Sequence, residues 1–361
     1  MDITYLSVMK GSGHQFADSK KIISDCVNAF AGQAVQIKNF SSPKRMLVAA
    51  SQALRSTDVV IIAVQTAMFN TVKKLICTSL DLDPEQKNEV YDALYPLYDK
   101  GAISESALAG HSVFPADANI FATPDFRYCG FSVVAGAQSI VVLPLDPIRT
   151  AETVFGSLYT FLADFGGIAN NEDVVKFKRA AMMIRIVSLL KQSDSKLVFL
   201  PLGCKKLIEE NMEIADKEHK FISFFQKIEP RKTNQPAMEY IVSVTQQARV
   251  DSQSDYACAV SGAFASNRDD TVFVLYAAAD ENNTAAARIF ANKGESPKEI
   301  SSAAFENALI SAGSKIMKNI LEEASRNNKP DKIFRRKLAA ISAAAAVGSA
   351  LIGTVAAMLI K

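Results

Sequence analysis

The chain has no tryptophan, only 3 histidines and only 5 cysteines in 361 residues. Cys26, Cys77, Cys129, Cys204 and Cys258 are scattered, odd in number and form no CxxC, which excludes a disulfide framework and argues against a structural zinc site. His14, His111 and His219 lack any carboxylate or cysteine spacing that would make them metal ligands, so no metal is expected. All three read as solvated loop side chains. One-sided charge is absent as well: 40 basic residues face 38 acidic ones, a net charge of +2. That balance leaves no broad basic footprint, and no nucleic-acid partner is expected. Met1 to Lys10 lacks the basic stretch and apolar core of a signal peptide and reads as a strand. No internal repeat is visible.

Most conspicuous among what is present is a run without charge at the end of the sequence. From Leu338 to Ile360 the strongest polar groups are Ser342, Ser349 and Thr354. As a helix this run spans roughly 35 Å, enough to cross the hydrocarbon of a bilayer. Leu338, Ile341, Val347, Leu351, Ile352, Val355, Met358, Leu359 and Ile360 supply the transfer energy, and alanines add little. The alternative is a buried core helix, but such helices usually carry a polar stripe. A transmembrane helix over 338–360 is therefore expected, preceded by a basic linker over 327–337. Lys329, Lys332, Arg335, Arg336 and Lys337 stand before the span and Lys361 alone behind it. This imbalance predicts a single-pass protein of the cell membrane with its soluble domains in the cytoplasm.

The remaining length predicts two domains. In the first, strand and helix signals alternate: a strand over Ile3–Val8, a helix over Ser19–Phe30, a short strand over Ala34–Ile37 and a helix over Lys44–Leu54. Asp58–Val64 is a continuous apolar run, as in a strand buried on both faces. Helices follow at about Thr66–Ser79 and Asp83–Asp99, then a hairpin of Phe131–Ala135 and Ser139–Leu143 around Gly136, then a helix over Ile148–Ala163. Such an order predicts an α/β domain with a mainly parallel sheet. Gly166-Gly167 marks a boundary before a helix over Asp173–Lys191. The second half predicts a strand at Lys196–Leu200, helices near Cys204–Met212 and Gln235–Arg249, and strands at Tyr256–Ser261, Thr271–Ala278 and Ala285–Ala291. A long helix from Pro297 to Ala324 follows, with Ser296 as its cap. The expected divisions are 1–166, 167–326, the linker and the span.

The segment Ala116–Glu152, with its turn Leu143-Pro144-Leu145-Asp146-Pro147, resembles the closing part of a molybdopterin-binding-like domain. The stretch Tyr256–Met317 resembles the C-terminal amidohydrolase-like domain of the CinA family, in which the two domains occur in this order. The resemblance implies a fold of two α/β domains, molybdopterin-binding-like and then CinA C-terminal-like, followed here by one transmembrane helix. It also implies two reaction centres, and the sequence departs from both. After the apolar strand the family has a glycine-rich turn and paired aspartates, which suit phosphate and metal. Here the stretch is Gln65-Thr66-Ala67-Met68-Phe69-Asn70, with neither glycine nor acid. Gln65, Thr66 and Asn70 can hydrogen-bond a neutral ligand, or Thr66 can simply cap the helix. In Lys10-Gly11-Ser12-Gly13-His14, Gly11 and Gly13 can shape an anion site, or form an ordinary loop. Asp146 joins the ligand candidates through its turn.

In the second domain the family's nucleophilic serine and glycine pair fall where this chain has Pro201-Leu202-Gly203-Cys204-Lys205-Lys206. Cys204, at a helix start beside Lys205, is the nucleophile candidate if its pKa is lowered, and otherwise a buried structural cysteine. Val260-Ser261-Gly262 is kept, so Ser261 and Gly262 are ligand candidates. The expectation is a tail-anchored, non-catalytic CinA-like protein that binds a nucleotide or a protein partner at the cytoplasmic membrane face. Two alternatives stand beside it. One is an active nucleotide hydrolase, of the nicotinamide mononucleotide deamidase or ADP-ribose pyrophosphatase type. The other is a dimeric membrane scaffold, with a homodimer as its unit. The sequence identifies no cofactor.

Overall fold

A computed structural model describes residues 1–10, 16–31, 36–123, 125–168, 172–226, 231, 235–265, 272–291 and 296–327. The strands in chain order are β1 (Ile3–Val8), β2 (Gln36–Phe40), β3 (Val59–Gln65), β4 (Pro84–Gln86), β5 (Val113–Pro115), β6 (Asn119–Phe121), β7 (Gly130–Ala135), β8 (Gln138–Leu145), β9 (Leu197–Leu200), β10 (Ile222–Phe224), β11 (Tyr256–Ala265), β12 (Val272–Ala279) and β13 (Thr284–Phe290). The helices are α1 (Ala17–Phe30), α2 (Pro43–Ala53), α3 (Thr66–Leu80), α4 (Asn88–Asp99), α5 (Glu105–Ser112), α6 (Arg149–Thr153), α7 (Tyr159–Phe165), α8 (Glu172–Ser193), α9 (Lys205–Ala215), α10 (Ala237–Asp251) and α11 (Pro297–Asn327). Residues 1–315 make one compact unit and 316–361 a second. The second is described only over the end of α11, where Lys318 and Glu322 form an exposed i,i+4 pair at 3.9 Å.

Both main sheets lie in the first unit. One has the order β2-β1-β3-β8-β7-β6, with its first four strands parallel and the last two antiparallel. Residues 59 to 64 of β3 are fully buried, as a strand covered on both faces must be, and their unbroken apolar run is the reason they can sit there. The β7–β8 hairpin turns through Gly136 at φ +61, the left-handed value a tight turn needs. The other sheet has the order β10-β9-β11-β12-β13, parallel over the first three strands and antiparallel beyond. Its core sets Ile241 and Ala248 of α10 against Leu200, Ala257, Ala259, Leu275 and Ala277. Each large apolar side chain buried in either core contributes about 2 kcal/mol. The order of elements is thus mixed α/β, and among the described residues no strand of one sheet pairs with the other.

Helices α8 and α11 carry the charged contacts of the seam between the sheets. Arg185 of α8 reaches Asp18 of α1 at 3.3 Å. Lys178 and Arg179 share Glu306 of α11 at 2.5 and 2.8 Å. Ser314 of α11 donates to Glu152 of α6 at 2.8 Å. The cap at Ser296 is as expected: it accepts from the Glu299 amide at 3.3 Å while the Glu299 carboxylate accepts from the Ser296 amide at 2.6 Å.

Several expectations are corrected. The helix expected from Asp83 begins only at Asn88, because Pro84–Gln86 pairs with β5 as a small ribbon. The helix expected over Ile148–Ala163 is interrupted by a π turn at Val154–Leu158. The short strand expected at Ala34–Ile37 lies at Gln36–Phe40. Among the described residues no helix is long and apolar enough to cross a membrane, and the expected span 338–360 lies outside them, as do Lys332, Arg335, Arg336 and Lys337.

Candidate functional site

In open α/β sheets the crevice for a ligand opens beyond the carboxyl ends of the strands, where the strand order reverses. In the first sheet that reversal falls between β1 and β3. Gln65, the last residue of β3, accepts a bond from the Lys10 amide at 2.9 Å and so ties the two strand ends together. Thr66 does not cap α3 but is its first helical residue; Gln65 occupies the cap position and makes no capping bond. Asp146, just past β8, accepts from the amides of Ile148 and Arg149 at 3.0 Å and pairs with the Arg149 guanidinium at 3.4 Å. Its carbonyl takes the Ser19 hydroxyl at 3.0 Å. Its carboxylate thus holds the amides of the turn that leads into α6. Gly11 and Gly13 lie outside the described residues.

A polar cluster is buried beside this edge. Asn70 and Lys73 stand one turn apart on α3 and meet α5, where a Cβ on Gly110 would lie 2.6 Å from Asn70 Nδ2. Lys73 is 4% exposed. Its ammonium donates to the His111 carbonyl at 3.4 Å and lies 3.8 Å from the centre of the Phe114 ring. Burial pushes the amine down to about 7, partly opposed by Cys129 and Cys77. His111, expected as a solvated loop residue, is instead 7% exposed at the end of α5, edge-on to Tyr128 at 4.6 Å. Burial, aided by the positive charges of Lys73, Arg127 and Arg149, pushes its pKa down to about 4, so the ring is neutral. Arg149 lies over the Tyr128 ring at 5.6 Å and pairs with Asp125 at 2.6 Å. Asn70 Oδ1, His111 Nδ1, Arg127 Nε and Arg149 Nε are all buried without a hydrogen-bond partner. An unpaired buried polar group costs about 1–3 kcal/mol, so four in one neighbourhood is a local excess.

The corresponding edge of the second sheet is closed. Ser261 and Gly262 form a bulge in β11, where the register to β12 shifts. The Ser261 hydroxyl accepts from the Leu275 amide at 2.9 Å and donates to the Gly262 carbonyl at 2.7 Å. Gly203 packs directly on this bulge: a Cβ there would collide with the Ser261 carbonyl and the Gly262 nitrogen. Cys204 sits at the start of α9, 8% exposed. Burial pushes its thiol up to about 12, in keeping with the buried-cysteine reading, and Lys205 points instead to Glu209 at 3.5 Å. Among the described residues no three metal-ligating side chains stand together.

Of the groups at the first edge, Gln65, Asn70 and Asp146 are legible as candidates in the sequence, whereas Lys73, His111, Tyr128, Asp125 and Arg149 are not. One signal does mark Lys73. Phe69, Val72, Lys73 and Ile76 lie on one helical face, and a lysine within an apolar stripe marks a buried charge.

No protein-family model matches the chain, and no curated protein does. Solved structures similar to parts of it include the protein CinA of unknown function from Thermoplasma acidophilum, at 12% identity over 42% of this chain and 93% of that one, TM-score 0.35. A competence-damaged protein (CinA) superfamily protein from Enterobacter cloacae is 14% identical over 38% of this chain and 92% of its own, TM-score 0.31. The molybdopterin biosynthesis enzyme MoaB from Thermus thermophilus is 12% identical over 47% of this chain and 99% of its own, TM-score 0.26. These are distant likenesses to CinA and MoaB structures, each over less than half of this chain.

Proposed function

We propose that this chain is a CinA-like binding protein whose ligand site is the carboxyl edge of the first sheet, and that Cys204 turns nothing over. The observation that carries the reading is the group of unpaired buried atoms around Tyr128. A nucleotide suits them: its base can pair with Asn70 and His111, and its phosphates with Arg127 and Arg149. The second edge supports the other half of the reading, since a thiol held near 12 supplies almost no thiolate at neutral pH. The apolar segment 338–360 and its basic flank tether these domains to the cytoplasmic face of the cell membrane.

The test uses the full-length chain in detergent, with ADP-ribose and nicotinamide mononucleotide as probes in titration calorimetry and in a turnover assay. The expected result is binding of one probe without turnover, weakened at least about tenfold, or 1.4 kcal/mol, by Asn70→Ala or by His111→Ala. Turnover abolished by Cys204→Ala would overturn the reading, as would binding that neither substitution changes. For the tether, the full-length chain is expected to sediment with membranes and a chain lacking 338–360 to stay in the supernatant; sedimentation of both sinks that part.

A further inference from the structure

The second sheet ends on β13, and among the described residues no strand pairs with its outer side. None of its seven residues is buried, and Phe290 is 51% exposed. Exposed strand edges are normally guarded by shortness, lysine, proline or a bulge. The other sheet edges here obey that rule: β6 and β10 have three residues each, and β2 carries Lys38. β13 has no lysine, proline or bulge, carries Arg288 as its one charged residue, and pairs with β12 over seven unbroken positions.

The bonds on its inner side fix which groups face outward. The Ala291 amide donates to the Val272 carbonyl at 2.8 Å, and the Asp280 amide to the Asn283 carbonyl at 3.0 Å. In this antiparallel register the odd-numbered residues turn their N–H and C=O toward β12. Thr284, Ala286, Arg288 and Phe290 therefore turn theirs away from the sheet.

We propose that the chain forms a two-fold homodimer in which β13 pairs antiparallel with the β13 of a second copy, with the axis at Ala287. Of the symmetric registers, this one alone pairs all four outward residues: Thr284 with the partner's Phe290, and Ala286 with the partner's Arg288, each twice. Moving the axis to Ala286 leaves Phe290 without a strand partner. Moving it to Arg288 sets two like charges face to face. The strand is also complementary to itself in size. Its first half is Thr-Ala-Ala and its second half Arg-Ile-Phe, so each bulky side chain meets a small one, with Ile289 against the partner's Ala285. The result is an isologous contact that joins two five-stranded sheets into one.

This inference stands apart from the ligand reading and is tested by single cysteines in the full-length chain in detergent. The five native cysteines are buried and give little background. Around the axis Ala287 faces its own copy in a non-hydrogen-bonded pair about 4.5 Å apart, within reach of a disulfide. Ala287→Cys is expected to give a reducible dimer on mild oxidation. Ala285→Cys alone is expected to stay monomeric on the gel, because its copies lie about 13 Å apart. A mixture of the Ala285→Cys and Ile289→Cys chains is expected to cross-link, though neither does so alone. A dimer held only by the segment 338–360 would cross-link at none of these positions, and that outcome overturns the proposal. So does Ala285→Cys cross-linking to itself as fast as Ala287→Cys.

Discussion

The carboxyl edges of the two sheets solve the same packing problem in opposite ways. At the first, Asn70, Lys73 and His111 place polar groups in the interior and leave Asn70 Oδ1 and His111 Nδ1 unpaired. At the second, the turn at Gly203 is pressed onto the Ser261–Gly262 bulge, and the Ser261 hydroxyl both donates and accepts. One edge holds unspent hydrogen-bonding capacity at a cost in stability, and the other has converted its capacity into packing. Function in this molecule is therefore sought at the first edge, and rigidity at the second.

The contrast can be broken most severely at Gly203. Replacing it with alanine drives a methyl into the Ser261 carbonyl, backbone against backbone, with no side chain to yield. Gly203→Ala is expected to cost about 3 kcal/mol, read by denaturant unfolding. A loss below about 1 kcal/mol would mean the edge is not closed.

Next in size is Lys73→Met, which removes the buried amine over Phe114 and keeps an unbranched apolar chain of similar length. A gain of about 2 kcal/mol is expected at neutral pH. The pH profile sharpens the point. The amine has a pKa of about 7 in the fold and an ordinary value of 10.5 when exposed. Between the two, the unfolded chain holds a proton that the folded chain has shed, so stability rises with pH across that window. Below about 7 the penalty is fully present. Lys73→Met should flatten the rise; an unchanged slope between about pH 7 and 10 would show that Lys73 is not its source.

The smallest effect belongs to His111. Its pKa of about 4 lies below the ordinary 6.5, so acid protonates the unfolded chain first and stability falls as pH drops through that interval. His111→Phe should remove this component of the acid lability, seen as a smaller drop in Tm between about pH 6.5 and 4.5. A Tm profile that His111→Phe leaves unchanged would mean the ring is not held neutral by burial.

Sequence alone is enough for β3, because an unbroken apolar run of that length has few other places to go, and for the β7–β8 hairpin, because Gly136 announces its turn. The ribbon of β4 and β5, and the strands β6 and β10, are not legible there. Three residues are too few to display a period of two, and their pairing depends on partners distant in the chain. The candidate site divides along the same line. Gln65 and Asn70 follow a strand end and are readable. His111 looks like a loop residue because α5, Glu105–Ser112, has almost no amphipathic pattern, and its burial comes from partners distant in the chain, such as Tyr128. Cys204 stays open in the sequence between nucleophile and buried thiol for a comparable reason: a neighbouring lysine in sequence says nothing of where its ammonium goes.

Gly313 has a consequence for how the molecule comes apart. A side chain there would lie 2.6 Å from Arg185 Nη1, so the absence of one is what lets the guanidinium thread past α11 to Asp18 of α1. Heating cannot free α1 while α8 and α11 stay packed without stranding that buried cation, so the helices are coupled in melting. The two sheets should therefore melt in a single calorimetric transition, and Gly313→Leu should split it into two endotherms.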